Sequence, residues 1–129
     1  RKVIANIHAG WRGSVLNIIG KTADMMISEL GCRAENMLAG ISPSLGPCCA
    51  EFINFRREIP KHLWKYKIKD THYFDFWAMS RDQLLEKGIF RNNIQNMEIC
   101  TKCNSHIFYS YRGEKTTGRF ACVIAMKLS

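Results

Sequence analysis

No stretch of this sequence approaches the roughly 18 consecutive apolar residues that a membrane-spanning helix requires, so no membrane partner is expected. Internal repeats and low-complexity tracts are also missing, and with only three prolines no segment reads as a linker between domains. At 129 residues the chain is therefore one domain by length, large enough to bury roughly two thirds of its unfolded surface. The opening residues Arg1–Asn6 are too short and too polar a stretch for a secretory signal. They read as the middle of a domain, because a strand begins with no lead-in. Acidic residues are scarce, 11 against 19 Lys and Arg, which gives a net charge of +8. A basic balance points first to anionic partners. The densest basic cluster, Lys61, Lys65, Lys67 and Lys69, is interleaved with His62, Trp64 and Tyr66. It reads as a solvated connection rather than an RNA-facing stripe, and small anions fit the charge as well as nucleic acid does.

Apolar residues make up 47% of the chain, as a globular core requires. Of the six cysteines, Cys48 and Cys49 are adjacent and Cys122 lies in an apolar run. That spacing argues against a disulfide framework and for reduced thiols in the cytoplasm. Periodicity predicts strands over Val3–His8, Asn36–Ile41, Asn93–Ile99 and Arg119–Leu128. It predicts helices over Ser14–Leu30, Cys48–Glu58 and Trp77–Lys87, the first stopped by Gly31 and the last by Gly88. Gly20, inside the first helix, costs up to about 1 kcal/mol relative to alanine, so close packing is expected to demand it. Strands and helices mix without strict βαβ regularity, which predicts a layered α/β or α+β domain, with α+β, mixed sheets and packed helices, as the reading adopted.

The hexapeptide His8-Ala9-Gly10-Trp11-Arg12-Gly13 follows the apolar run Val3–Ile7. Strand, glycine-flanked loop and helix start is a place where an imidazole, a guanidinium and backbone N–H groups gather around one ligand. His8 reads as a metal ligand, a general base or a hydrogen-bonded buried histidine. Nothing near it completes a His-x3-His or local zinc pattern. Arg12 at a helix start opposes the helix dipole unless an anion answers it. Cys48 and Cys49 stand at a predicted helix N-terminus, where a thiol pKa falls. Cys100-x2-Cys103-x2-His106 offers three metal donors, and a fourth from Cys48 or Cys49 would complete a structural zinc site. Phe108–Gly113 and Thr116–Arg119 place arginines, hydroxyls and aromatic faces around a turn, suited to an anion or a nucleoside.

Taken in order, these segments resemble one family. His8–Gly13 resembles its HAGWRG signature, and Gly46-Pro47-Cys48-Cys49-Ala50-Glu51 its GPC-c-Y-E segment. Asp75-Phe76-Trp77, Gln83-Leu84 and Gly88-Ile89 are similar to its central helix. Cys100-Thr101, Phe108–Arg112 and Gly118-Arg119 are similar to its closing block. The family is that of the laccase-domain proteins, also called YfiH-like or multicopper polyphenol oxidase-like. The resemblance implies a four-layer αββα fold and a zinc-dependent purine nucleoside phosphorylase with adenosine deaminase side activity, acting on a purine nucleoside and phosphate. It implies zinc as cofactor, held by two histidines and a cysteine. Of these ligands only His8 maps onto this sequence, as a metal and catalytic residue, while the other two belong to T-A-D-C and H-G motifs of an N-terminal half. The chain is thus expected to be the C-terminal half, 1–129, of a single laccase-type domain truncated at the N-terminus. It is expected to be inactive alone and completed by the missing half or by a homodimer. Arg12 and Arg112 are the expected phosphate contacts. Ser80, Gly113 and Ala50 depart from the family's asparagine, second arginine and tyrosine. The alternative is a basic standalone binding module with a structural Cys-x2-Cys-x2-His zinc.

Overall fold

Gly10 takes an extended conformation, and its carbonyl accepts from Ser14 N at 2.9 Å. A short helix α1, Trp11–Val15, follows. The expected long helix does not run through. Asn17 sits in the left-handed region at φ 57° and caps a second helix, α2, Ile18–Ser28, its Oδ1 accepting from Gly20 N at 3.0 Å. A Cβ on Gly20 would stand 2.5 Å from that Oδ1. Gly20 is therefore required, by the cap folded over it.

In this computed structural model the described residues are 2–127. A 3-10 turn, Ala34–Asn36, leads to β1, Ala39–Ile41, so the strand expected from Asn36 is shorter. Residues 46–50 turn rather than begin a helix, because Ala50–Phe52 pair with 72–74 instead. Phe52 N donates to His72 O at 2.8 Å and Phe74 N to Ala50 O at 3.0 Å. The helix expected from Cys48 is reduced to α3, Phe55–Glu58. The lysine-rich segment forms a 3-10 helix, Lys61–Tyr66, that buries Leu63 and Tyr66 and leaves Lys61 and Lys65 in solvent. Helix α4, Phe76–Leu85, is capped by Asp75, whose Oδ1 accepts from Ala78 N at 2.9 Å. Gly88, at φ 84°, closes it. After a 3-10 turn, Arg91–Asn93, β2 spans Ile94–Asn96.

β1 and β2 pair in parallel, Ala39 with Ile94 and Ile41 with Asn96. The ladder reaches onward through a bridge between Ser44 and Cys100. One core holds Ala50, Phe52, Phe55, Ile59, Leu63, Tyr66, Phe74 and Met79. A smaller one, Ile19, Leu84 and Ile89, joins α2 and α4 to the sheet. Gln83 Nε2 donates to Ser14 O at 2.8 Å and fixes α1 on α4.

The fold is α+β, as expected, with one two-stranded parallel sheet among the described residues. The strands expected at Val3–His8 and Arg119–Leu128 are not central. Residues 3–8 and 119–127 carry no ladder among the described residues, and Leu128 lies outside them. One bond joins the two segments, Asn6 Nδ2 donating to Cys122 O at 2.8 Å, and Val123 is 88% exposed. β-Branched sequence favours an extended backbone, but a strand forms only where a neighbour pairs its N–H and C=O groups.

Candidate functional site

The end of the parallel ladder brings together two turns that are distant in sequence. In the first, Cys49 N and Ala50 N both donate to Gly46 O, at 2.9 and 3.0 Å. In the second, Asn104 N and Nδ2 both donate to Cys100 O, at 3.1 and 2.9 Å. Ser44 N donates to Ile99 O and Thr101 N to Ser44 O, which fixes the register between them. The sulfurs of Cys48, Cys49, Cys100 and Cys103 then lie within 4.8 Å of one another. Cys103 Sγ is 3.5 Å from both Cys48 Sγ and Cys49 Sγ. Gly46 N donates to Cys100 Sγ at 3.3 Å. Cys100 is buried, Cys49 half-buried, and Cys48 and Cys103 exposed.

The four thiols differ electrostatically. Burial, then hydrogen bonding to Cys103, pushes the Cys48 thiol up and carries Cys49 to about 11. Burial also raises Cys100, but the backbone N–H groups of Cys103 and Gly46 and the thiols of Cys48 and Cys103 outweigh it and hold Cys100 at about 7. The thiol activation expected for Cys48 and Cys49 at a helix N-terminus does not occur, because no helix starts there. The cluster can hold a metal ion: its donors are soft and converge on one point.

Apart from the cysteines, an open cleft is lined by His8, Gly10, Trp11, Arg12 and Gly13. A Cβ on Gly10 would lie 3.3 Å from His8 Nε2, so the glycine lets the imidazole fold close to the backbone. The Arg12 guanidinium stacks 4.9 Å from the Trp11 ring centre. Among the described residues no carboxylate pairs with Arg12. α1 has only 5 residues, too few for the dipole conflict expected of Arg12 to be large. Trp11 meets Phe52 edge-on at 5.5 Å. On Phe52 lies Arg112, 4.5 Å from the ring centre, with Nη1 donating to Glu51 O. Arg12 and Arg112, 100 residues apart by numbering, thus flank one aromatic pair.

The structure unites His8 with Arg12 and brings both cysteine pairs together. It leaves His106 outside the four-sulfur group. The Cys-x2-Cys-x2-His ligand set is thereby corrected: both Cys48 and Cys49 converge on Cys100 and Cys103, where one of them and His106 were expected. Sequence spacing did not show Phe52 and Glu51 as the surfaces that seat Arg112. The signal for the fourth donor was the doubled cysteine itself, since one turn can present both side chains to the same point.

A family model described as multi-copper polyphenol oxidoreductase laccase matches residues 1–127. The chain is 29% identical over 119 residues to the human purine nucleoside phosphorylase LACC1, covering 86% of this chain and 28% of that protein. It is 31% identical over 127 residues to purine nucleoside phosphorylase YfiH of Escherichia coli (strain K12), covering 94% of this chain and 50% of that one. The chain thus spans half or less of these relatives' length. Among solved structures, the hypothetical protein YfiH of Bacillus licheniformis superposes with a TM-score of 0.68 at 29% identity, over 84% of this chain and 43% of that one.

Proposed function

The chain belongs to the multi-copper polyphenol oxidoreductase laccase family, and from that premise we propose that it is the C-terminal half of a single laccase-type domain whose whole acts as a zinc-dependent purine nucleoside phosphorylase. Adenosine deamination is its side activity, and the cytoplasm its place. The observation that carries this reading is the pairing of His8 and Arg12 in one cleft, with Arg112 seated across the Trp11–Phe52 contact. Relatives over the same residues bear the name purine nucleoside phosphorylase.

In phosphorolysis a phosphate oxygen bonds to C1′ of the ribose as the C1′–N9 bond breaks. The purine leaves with the electron pair and takes up a proton. The anion must be held against its own charge, and guanidinium forks suit it. Among the described residues no carboxylate competes for Arg12. Arg112 keeps N–H donors beyond the one given to Glu51 O. The half-buried Trp11 indole, which lines the cleft and is backed by the buried Phe52, offers apolar surface for the base.

Zinc does not fit the cleft as these residues stand. A catalytic zinc takes three protein ligands, and among the described residues the cysteine cluster is the one group of three or more donors. His8 therefore stands as a single ligand here, and no step is derived through the metal.

The test is phosphate-dependent release of base from inosine or adenosine. The polypeptide containing this sequence together with the remaining half is expected to turn over, and Arg12→Ala to lower kcat/KM by about 100-fold, the scale of a lost transition-state charge contact. The chain alone is expected to be inactive. Turnover by the chain alone that disappears in His8→Ala would overturn the half-domain reading. Base release independent of phosphate would overturn the phosphorylase.

A further inference from the structure

We infer that Cys48, Cys49, Cys100 and Cys103 form a structural zinc site, separate from the cleft at His8. Four sulfurs bound at ~2.3 Å around one tetrahedral ion stand about 3.8 Å apart. Here they all lie within 4.8 Å of one another, with two separations at 3.5 Å. That is the spacing of one ion. An iron–sulfur cluster would place a second iron and sulfide between ligand pairs and needs a wider ring. Four thiolates and no oxygen or nitrogen donor select zinc over the harder divalent ions.

A disulfide accounts for the arrangement less well. Cys103 is equidistant from Cys48 and Cys49, so any single bond would leave two of the four sulfurs without a role. One ion employs all four. The backbone holds the sulfurs in place independently of the metal, through the bridge between Ser44 and Cys100 and the two turns closed on Gly46 O and Cys100 O. The N–H of Gly46 aimed at Cys100 Sγ is the kind of outer contact that orients a ligand sulfur and tempers its charge.

The site would tie the 46–49 turn to the 100–104 turn. Glu51 and Phe52, which seat Arg112, follow directly on the first. Neither His8 nor Arg12 takes part, so the inference stands apart from the nucleoside reading.

The 129-residue chain, prepared under anaerobic reducing conditions, is expected to carry one zinc by elemental analysis. After exchange for cobalt it should show the strong visible bands and near-ultraviolet sulfur-to-metal absorption of a tetrahedral tetrathiolate. His8→Ala and His106→Ala should leave both readings unchanged. Cys48→Ser and Cys103→Ser should each lose the zinc on dialysis and weaken the sulfur-to-cobalt band. Because a serine variant can fail by misfolding, the cobalt spectrum of the unaltered chain decides independently. A chain that takes up no metal, one lighter by two hydrogens because of a disulfide, or one whose metal is lost in His106→Ala would each overturn the four-cysteine site.

Discussion

Gly46→Ala is expected to strike the point where the ladder end, α4 and the cysteine turns meet. A Cβ at Gly46 would lie 2.9 Å from Cys100 Cβ, 2.9 Å from Trp77 Cη2 and 3.2 Å from Trp77 Cζ2. Carbon atoms pack best at about 3.5–4.0 Å, so both neighbours must move by more than half an ångström. Neither moves freely. Cys100 Cβ is fixed to the backbone of the bridge with Ser44, and the Trp77 indole is held by Nε1 donating to Ser44 Oγ at 2.8 Å. Overpacking of this kind costs about 1–3 kcal/mol. For a domain of this size that lowers the melting temperature by roughly 3–15 °C. Urea unfolding at neutral pH with reductant, read by tryptophan fluorescence and far-ultraviolet dichroism, measures it. Trp77→Phe removes the two crowding indole carbons, so in the Gly46→Ala background it should cost less than in the unaltered chain. A coupling of about 1 kcal/mol is the expected size for residues in direct contact. A Gly46→Ala chain with an unchanged midpoint, or strictly additive effects of the two substitutions, would refute the steric reasoning.

Asn17→Ala should lose about 1 kcal/mol through the missing cap, while Gly20→Ala should destabilise the unaltered chain but stabilise Asn17→Gly, because helix propensity favours alanine once the crowding side chain is gone; urea midpoints of the four chains report the change of sign. Burial, then the hydrogen bond and charge of Asp82, hold the Tyr66 phenol above its ordinary range. The unfolded phenol ionises near pH 10, so Tyr66's contribution is complete below about pH 10 and is lost as pH rises beyond it. The stability gap between the chain and Tyr66→Phe should therefore shrink from pH 9 to pH 11 on the scale of that ionisation, and a gap constant across that range would refute it.

What could be read from sequence was local. Gly88 marks the end of α4 because a left-handed stop acts on its nearest neighbours, whereas the cap at Asp75 went unread in a segment that looks extended. Gly20 was legible as a position under constraint, though the agent is a side chain three residues back rather than another element. Strands were over-read wherever their partners decide. Val3–His8 and 119–127 have the β-branched pattern but form no ladder among the described residues, where a side-chain bond from Asn6 to Cys122 O joins them. Cys48 reads as a helix start after a proline, yet Ala50–Phe52 find hydrogen-bond partners at 72–74, and that competition cannot be seen in either segment alone. The cleft at His8 follows from one continuous motif and was readable. The four-sulfur cluster was half readable, since the two pairs are visible and their convergence depends on a register set by β1 and β2.

That register also orders events during folding. Cys49 and Cys103 are 54 residues apart, and closing a chain of that length costs about 3–4 kcal/mol in entropy before any contact rewards it. Between them lies the larger core, from Ala50 to Met79. A parallel ladder cannot zip from a tight turn as a hairpin does, so its strands meet only once the intervening chain has condensed. The two cysteine turns are thus among the last parts of the molecule to meet. The time at which Cys100 becomes shielded from an alkylating reagent during refolding is a clock for that final closure, set by topology rather than by the chemistry of the thiols.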